Sequence, residues 1–136
     1  MKKIILFLAL GLIFSSCEIG EDDTNYVLDI LPVSEVTMPT EFAKDSITEI
    51  PVKYIRPTSC HFFDSFFYEK NDFNRYVAIY CARSVQENCT ADNVTVVEVP
   101  LRFKPTSLGT YHFRFWTGED ATGLNQYLEY DVVVDH

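Results

Sequence analysis

The stretch TYHFRFWTGEDATGLNQYLEYDVVVD, residues 110–135, decides the fold. Its first part alternates Tyr111, Phe113 and Phe115 with polar or amphipathic residues. Its last part does the same with Leu128, Tyr130, Val132 and Val134. Such a period of two residues is typical of a strand with one buried face. We therefore predict a β-hairpin of strands 110–117 and 126–135, joined by the loop GEDATG at 118–123.

The rest of the chain up to this hairpin has the same character. Runs rich in Val, Ile, Thr, Phe and Tyr are separated by Pro, Asn, Asp and Gly, and the chain contains 11 Phe and 8 Tyr. This composition favours strands over helices. Further strands are predicted at 26–38, interrupted at Pro32, and at 46–55, 60–69, 75–84 and 94–103.

A loop containing Pro105 precedes Gly109-Thr110-Tyr111 at the start of the hairpin. This arrangement resembles the tyrosine corner of immunoglobulin-like domains, in which the phenol hydroxyl bonds back to the preceding loop. With strands about ten residues apart, the resemblance implies an all-β fold, an immunoglobulin-like β-sandwich of about seven antiparallel strands over residues 26–136. An up-and-down barrel is the alternative.

The N-terminus has the features of a secretory signal. Lys2 and Lys3 precede an apolar run from Ile4 to Phe14, and Ser15-Ser16 supplies the small residues that a signal peptidase requires. A membrane span needs roughly 20 apolar residues, about twice the length of this run. Residues 1–16 are therefore predicted to be a signal peptide.

Phe14-Ser15-Ser16-Cys17 resembles the lipobox of bacterial lipoproteins, with Phe14 where that family usually has Leu. The resemblance covers the leader and implies that Cys17 becomes the acylated N-terminus, a covalent lipid being the only cofactor expected. Two or more acyl chains hold a protein stably on a membrane. The alternative is an ordinary signal peptide that leaves Cys17 as a thiol.

Residues 17–25 are polar and acidic, which is typical of a flexible tether. The cluster Glu21-Asp22-Asp23 resembles the signal that exports Bacteroidota lipoproteins to the outer surface, although a plain solvated linker has the same composition. Together, these features resemble small Bacteroidota-type outer-membrane lipoproteins with one immunoglobulin-like domain, a group with no assigned activity. The predicted location is the outer membrane, lipid-anchored and facing outward.

The charge of the chain bears on its partners. Without Lys2 and Lys3, nine basic residues remain against 20 acidic ones, a net charge of about −11. Nucleic acid and anionic lipid surfaces repel such a protein. We expect no nucleic-acid partner.

Three cysteines lie in the predicted domain, an odd number for an exported chain, and one bridge with one thiol is the simplest account. Cys60 opens one strand and Cys89 follows its predicted partner strand, so a Cys60–Cys89 disulfide is predicted. Cys81 is in phase with Val77 and Ile79 and is expected in the core. The rival pairing is Cys81–Cys89.

The hairpin 60–84 carries aromatic residues on both faces. Because Asp64 should not face the core unpaired, it is placed outward, which directs Phe63, Ser65 and Phe67 inward. A slip of one residue would reverse this assignment. The predicted outward set, which forms the candidate binding face for a glycan or a protein, is Phe62, Phe66, Tyr68, Tyr76 and Tyr80.

No group of residues indicates catalysis or a metal. The three histidines are scattered, and adjacent Cys60 and His61 point to opposite faces of a strand. Glu119-Asp120 lacks the alternating acidic ligands of a calcium loop. The predicted function is therefore a binding or structural role without catalysis. The alternatives are a periplasm-facing accessory subunit of an envelope complex and an unrecognised hydrolase.

Overall fold

The computed structural model describes residues 25–85 and 88–136, and all its regular elements in this part of the chain are strands. The predicted signal peptide, Cys17 and the tether up to residue 24 lie outside the described residues. The strands are β1 (Tyr26–Leu31), β2 (Glu35–Val36), β3 (Thr48–Ile55), β4 (His61–Asn71), β5 (Asn74–Ser84), β6 (Val96–Phe103), β7 (Gly109–Glu119) and β8 (Asn125–Val134).

The strands form two sheets that pack face to face. One contains β1, β4, β5, β7 and β8, and the other has the order β2-β3-β6. The predicted alternations point into the shared core: Phe113 and Phe115 are fully buried, as is Ile50 of the second sheet. Phe103 of β6 joins the sheets, with its ring centroid 5.1 Å from that of Tyr111 and 4.9 Å from that of Phe113. The all-β sandwich predicted from the sequence is confirmed.

One strand pairing differs from the antiparallel expectation. β5 pairs with β7 in parallel, from Asn74 opposite His112 to Val77 opposite Phe115. β4 occupies one edge of β5 along its whole length, so β1 and β7 must share the other edge. The backbone N–H of Val33 donates to the carbonyl of Trp116 at 2.8 Å. The end of β1 therefore enters the sheet where β5 and β7 diverge.

The interruption predicted at Pro32 is a switch between sheets. β1 pairs with β5 in the first sheet, and β2 pairs with β3 in the second. Pro51 in strand 46–55 favours an edge or a bulge, because proline cannot donate to a ladder, but β3 is the central strand of its sheet. Pro51 is tolerated there because it lies opposite Pro100 and because its carbonyl accepts from Thr37 N–H, on the side where β2 is only two residues long.

The tyrosine corner is present at the start of β7. The Tyr111 hydroxyl donates to the Ser107 carbonyl at 3.0 Å and accepts from the Ser107 N–H at 3.1 Å. Gly109 has φ +140°, and a Cβ there would lie 2.9 Å from the Phe73 ring. A glycine is therefore required at this position, both for its backbone conformation and for the close approach of the β4–β5 turn.

Candidate functional site

The outer face of the five-stranded sheet carries an unusual share of apolar and aromatic side chains. Residues directly opposite in a sheet share a face, and Phe62 lies opposite Ala82, Phe67 opposite Ala78, and Ile30 opposite Tyr80. Several of these side chains are about half exposed, among them Leu28, Ile30 and Phe62. This surface, called the outer aromatic face, consists of Leu28, Ile30, Phe62, Phe67, Tyr76, Tyr80, Trp116 and Tyr127.

The predicted orientation is wrong for two members of the candidate face. A β-bulge at Asp64 shifts the register between Phe63 and Ser65. As a result, Phe66 lies opposite Ile79 and packs against the core, and Tyr68 lies opposite Val77 on the inner side of the sheet. A bulge inserts one residue into one strand, so every later side chain changes face. Phe62, Tyr76 and Tyr80 lie outward as predicted.

The sequence analysis did not assign four members of the outer aromatic face to the candidate binding face, and all four lie on strands other than β4. Trp116 and Tyr127 lie opposite each other on β7 and β8, and Leu28 and Ile30 lie on β1. The alternation of β7 had already placed Trp116 outward. The alternation does not show which strands are neighbours in the sheet. It therefore could not predict that these residues lie beside Tyr76 and Tyr80.

A groove of about 450 Å³ opens in this face where β5 and β7 diverge. Its aromatic lining is Phe67, Tyr76, Trp116 and Tyr127, with Ile30 beside them. The rings of Tyr76 and Tyr127 meet edge to face, with centroids 6.2 Å apart. Its polar lining consists of Glu69, Asn71 and Asn125.

Two hydrogen bonds hold the aromatic groups of the groove. The Trp116 indole Nε1 donates to Asn125 Oδ1 at 3.0 Å, which fixes the plane of the indole. Arg114 Nη1 donates to the Tyr76 hydroxyl at 2.9 Å, and its guanidinium carbon lies 5.5 Å from the centre of the Tyr76 ring. These rings are therefore held in place before any ligand arrives.

The outer side of β7 and β8 is charged beyond the groove. Arg114 Nε lies 2.9 Å from Glu129 Oε1, and His112 Nδ1 lies 2.6 Å from Asp131 Oδ1. These pairs line a shallow depression of about 290 Å³. Arg114 and Glu129 thus pair opposite charges across the two strands, and His112 is hydrogen-bonded to Asp131.

The predicted disulfide is confirmed. Cys60 and Cys89 are bonded, with their Cα atoms 5.4 Å apart, and Cys81 is a fully buried thiol in β5. Burial raises the pKa of Cys81. The bridge closes the open end of the β4–β5 hairpin, as the strand order predicted.

A buried polar cluster lies at the same end of the sheet. His61 is only 6% exposed, with Nδ1 2.8 Å from the Thr58 hydroxyl and Nε2 3.0 Å from Asp29 Oδ2. Hydroxyl, imidazole and carboxylate in series also occur in nucleophilic enzymes. Here, however, the Thr58 hydroxyl accepts from the Cys60 N–H, and Asp29 accepts from Arg83 Nε at 2.6 Å. The cluster therefore ties β1 to β4 and β5.

Replacing Asp29 with Asn is expected to lower the free energy of unfolding at pH 7 by about 1 kcal/mol. The Arg83 guanidinium lowers the pKa of Asp29, the His61 bond lowers it further, and burial opposes both. A carboxyl with a depressed folded pKa stabilises the protein above its unfolded pKa, near 3.8, and loses this contribution as the pH falls through the folded value. Urea denaturation from pH 7 to pH 3 should show the difference from wild type shrinking as the pH falls below 3.8.

Asp64→Asn is the control, since its carboxylate is exposed and accepts a hydrogen bond from the neighbouring Ser65 hydroxyl. A destabilisation by Asp29→Asn that is the same at pH 3 and pH 7 would contradict the ionic role of Asp29.

The tip of the β7–β8 hairpin is organised by its own acidic residue. Asp120 Oδ1 accepts from the Thr122 N–H at 2.8 Å, the Thr122 hydroxyl at 2.6 Å and the Leu124 N–H at 3.1 Å. These bonds hold the pKa of Asp120 below its usual value.

In the described part of the chain no group of three or more His, Cys, Asp or Glu is arranged to hold a metal ion. No helix among residues 25–85 and 88–136 is long and apolar enough to span a membrane.

Comparison of the chain with protein-family models, with curated proteins and with solved structures gives no match.

Proposed function

We propose that this chain is a lipid-anchored protein of the bacterial outer membrane, displayed on the cell surface, that binds a ligand through the outer aromatic face without catalysing a reaction. The observation that carries the binding role is the exposure of that face. Leu28 and Phe62 are each at least half exposed and Ile30 is 47% exposed, on a sheet whose other side is already packed. A contiguous exposed apolar surface of this kind marks a contact site in soluble domains.

The anchor is supported by the leader and by the position of the domain start. β1 begins at Tyr26, nine residues after Cys17. An extended chain spans at most about 3.5 Å per residue, so the tether would hold the domain within about 30 Å of the lipid. The outer aromatic face would then be presented close to the membrane surface.

The polar clusters support a binding role over catalysis. The groups of the Asp29 cluster bond to one another, and His112 and Arg114 are paired with Asp131 and Glu129. A general base or nucleophile must have its reacting atom accessible to a substrate. His61, the most buried of the three histidines, does not meet this requirement.

Experiments in cells test two parts of the proposal separately: the attachment of the protein to the membrane through lipid, and the side of the membrane on which it lies. Cys17→Ser should abolish lipid labelling and remove the protein from the outer membrane, because the proposed acyl chains attach it there. Replacing Glu21, Asp22 and Asp23 with Ala should keep the lipid but protect the protein from protease added to intact cells. Protection of the wild-type protein would instead support the periplasm-facing accessory subunit.

The binding face is tested with the purified lipidated protein in detergent micelles. Ile30→Ser with Tyr80→Ser alters opposite positions of the outer aromatic face, and Val94→Ser with Val96→Ser alters two exposed residues outside the five-stranded sheet. Material retained from envelope extract and culture supernatant is quantified as protein and as carbohydrate. The first variant should lose retention and the second should keep it. Equal retention by both would overturn the assignment of the face.

A further inference from the structure

The groove between β5 and β7 has the chemistry of a site for a sugar ring. We propose that it binds a neutral oligosaccharide, with the rings of Tyr76, Trp116 and Tyr127 stacking on the sugar and the side chains of Glu69, Asn71 and Asn125 bonding its hydroxyls. This inference rests on the proposed binding function and names the ligand class for the same face.

The aromatic lining suits a ligand that has flat apolar faces. Tyr76 and Tyr127 meet at 71°, and the indole of Trp116 is held by Asn125, so the rings form the walls of a fixed angular groove. A pyranose presents C–H groups on its faces and hydroxyls around its edge. Aromatic walls contact these C–H groups and exclude water from them. The volume of about 450 Å³ accommodates more than one such ring.

The polar lining suits the hydroxyl edge of the same ligand. Asn125 uses Oδ1 for the Trp116 indole, while its Nδ2 makes no hydrogen bond within the described residues and is left to donate. Asn71 supplies both a donor and an acceptor, and Glu69 supplies two acceptor oxygens. A wholly apolar ligand would leave these groups unpaired, which disfavours a lipid chain as occupant.

Charge favours a neutral sugar. Glu69 is the only charged residue in the lining, and the chain as a whole carries a net charge of −9. Arg114, which donates to Tyr76 in the wall of the groove, is paired with Glu129. An anionic sugar would therefore be repelled.

The position of the groove disfavours a peptide. Peptides that join a sheet bond to the main chain of an edge strand. The edges here are β1, β4 and β8, and the unpaired backbone groups of an edge strand point away in the plane of the sheet. The groove lies on the face, over β5 and β7, rather than in the plane of an edge strand.

Trp116 provides a direct readout because it is the only tryptophan of the chain. The lipidated protein in micelles is titrated with neutral trisaccharides built from glucose, mannose, galactose or N-acetylglucosamine, and with a sialylated trisaccharide. We expect at least one neutral probe to change the Trp116 emission saturably below about 10 mM, and the sialylated probe to bind more weakly. No saturable change with any neutral probe, or tighter binding of the sialylated one, would overturn the proposal.

Matched variants locate the binding. Tyr127→Ala, which removes a wall, should weaken binding about tenfold or more, and Asn71→Ala, an exposed change, about threefold. Phe62→Ala alters the outer aromatic face outside the groove and should change affinity less than about twofold. Near-ultraviolet circular dichroism checks that each variant is folded. If Phe62→Ala and Asn71→Ala weaken binding equally, the sugar does not sit in the groove.

The two proposals fail separately. Suppose that the wild-type protein retains material, that Ile30→Ser with Tyr80→Ser loses it, and that no sugar changes the Trp116 emission. This result would refute oligosaccharide binding in the groove but would still support the outer aromatic face as a binding surface.

Discussion

Replacing Phe103 with Ala is expected to lower the free energy of unfolding by about 3–5 kcal/mol. Phe103 is 3% exposed, and its ring contacts Phe42, Tyr111 and Phe113 edge to face. Because it comes from one sheet and two of these partners come from the other, its loss leaves a cavity between the sheets. Urea denaturation followed by circular dichroism measures the change.

Val133→Ala is the matched control, since Val133 is an apolar strand residue that is 62% exposed. It should change stability by less than about 0.5 kcal/mol. A loss below about 1 kcal/mol for Phe103→Ala would mean that the sheets are not held together as described.

Removing the Cys60–Cys89 bridge is expected to cost about 3–4 kcal/mol of stability. The bridge joins residues 29 apart in sequence, and cutting it gives the unfolded chain the freedom of an open loop. The double variant Cys60→Ser with Cys89→Ser should therefore unfold at a markedly lower urea concentration than the oxidised protein.

Peptide mapping of the wild-type protein under non-reducing conditions provides the control for the pairing. It should find Cys60 joined to Cys89 and Cys81 unlinked. If the double variant and the oxidised wild type unfold at the same urea concentration, the bridge does not contribute to stability.

The strand pattern is the part of the fold that local sequence determines. β7 was predicted at 110–117 and spans Gly109–Glu119, and β6 was predicted at 94–103 and spans Val96–Phe103. In both strands every second residue is apolar, and only one face can be buried without placing charges in the core. Such strands have one register, so alternation alone is sufficient.

β4 lacks this constraint, and there the prediction of the candidate site was partly wrong. Its phenylalanines come in two adjacent pairs, Phe62-Phe63 and Phe66-Phe67. Either register therefore places a Phe on each face, and Asp64 was the only misfit available to choose between them. The structure accommodates Asp64 in a bulge, which keeps it outward and reverses the residues that follow.

The groove could not be predicted because it depends on which strands are neighbours. Tyr76 and Tyr127 are far apart in sequence and meet only because β5 lies beside β7. The sequence of these strands does not indicate that they pair in parallel. A strand with one buried face shows the same alternation whether its neighbour runs parallel or antiparallel to it. The pairing of β1 with β5 adds Ile30 to the same groove, again through contacts between residues distant in sequence.

The burial of Cys81 also has a consequence for how the correct bridge is reached. Any two of Cys60, Cys81 and Cys89 can pair in the unfolded chain, and exchange between pairings requires a thiolate that reaches a disulfide sulfur. Once β5 packs into the core, Cys81 is fully buried and its ionisation is suppressed. Oxidation before this step can yield any of the pairings, whereas oxidation after it leaves Cys60 and Cys89 as the only reactive partners among the three cysteines of the described residues. The packed core thus selects the bridge and then protects it from reshuffling.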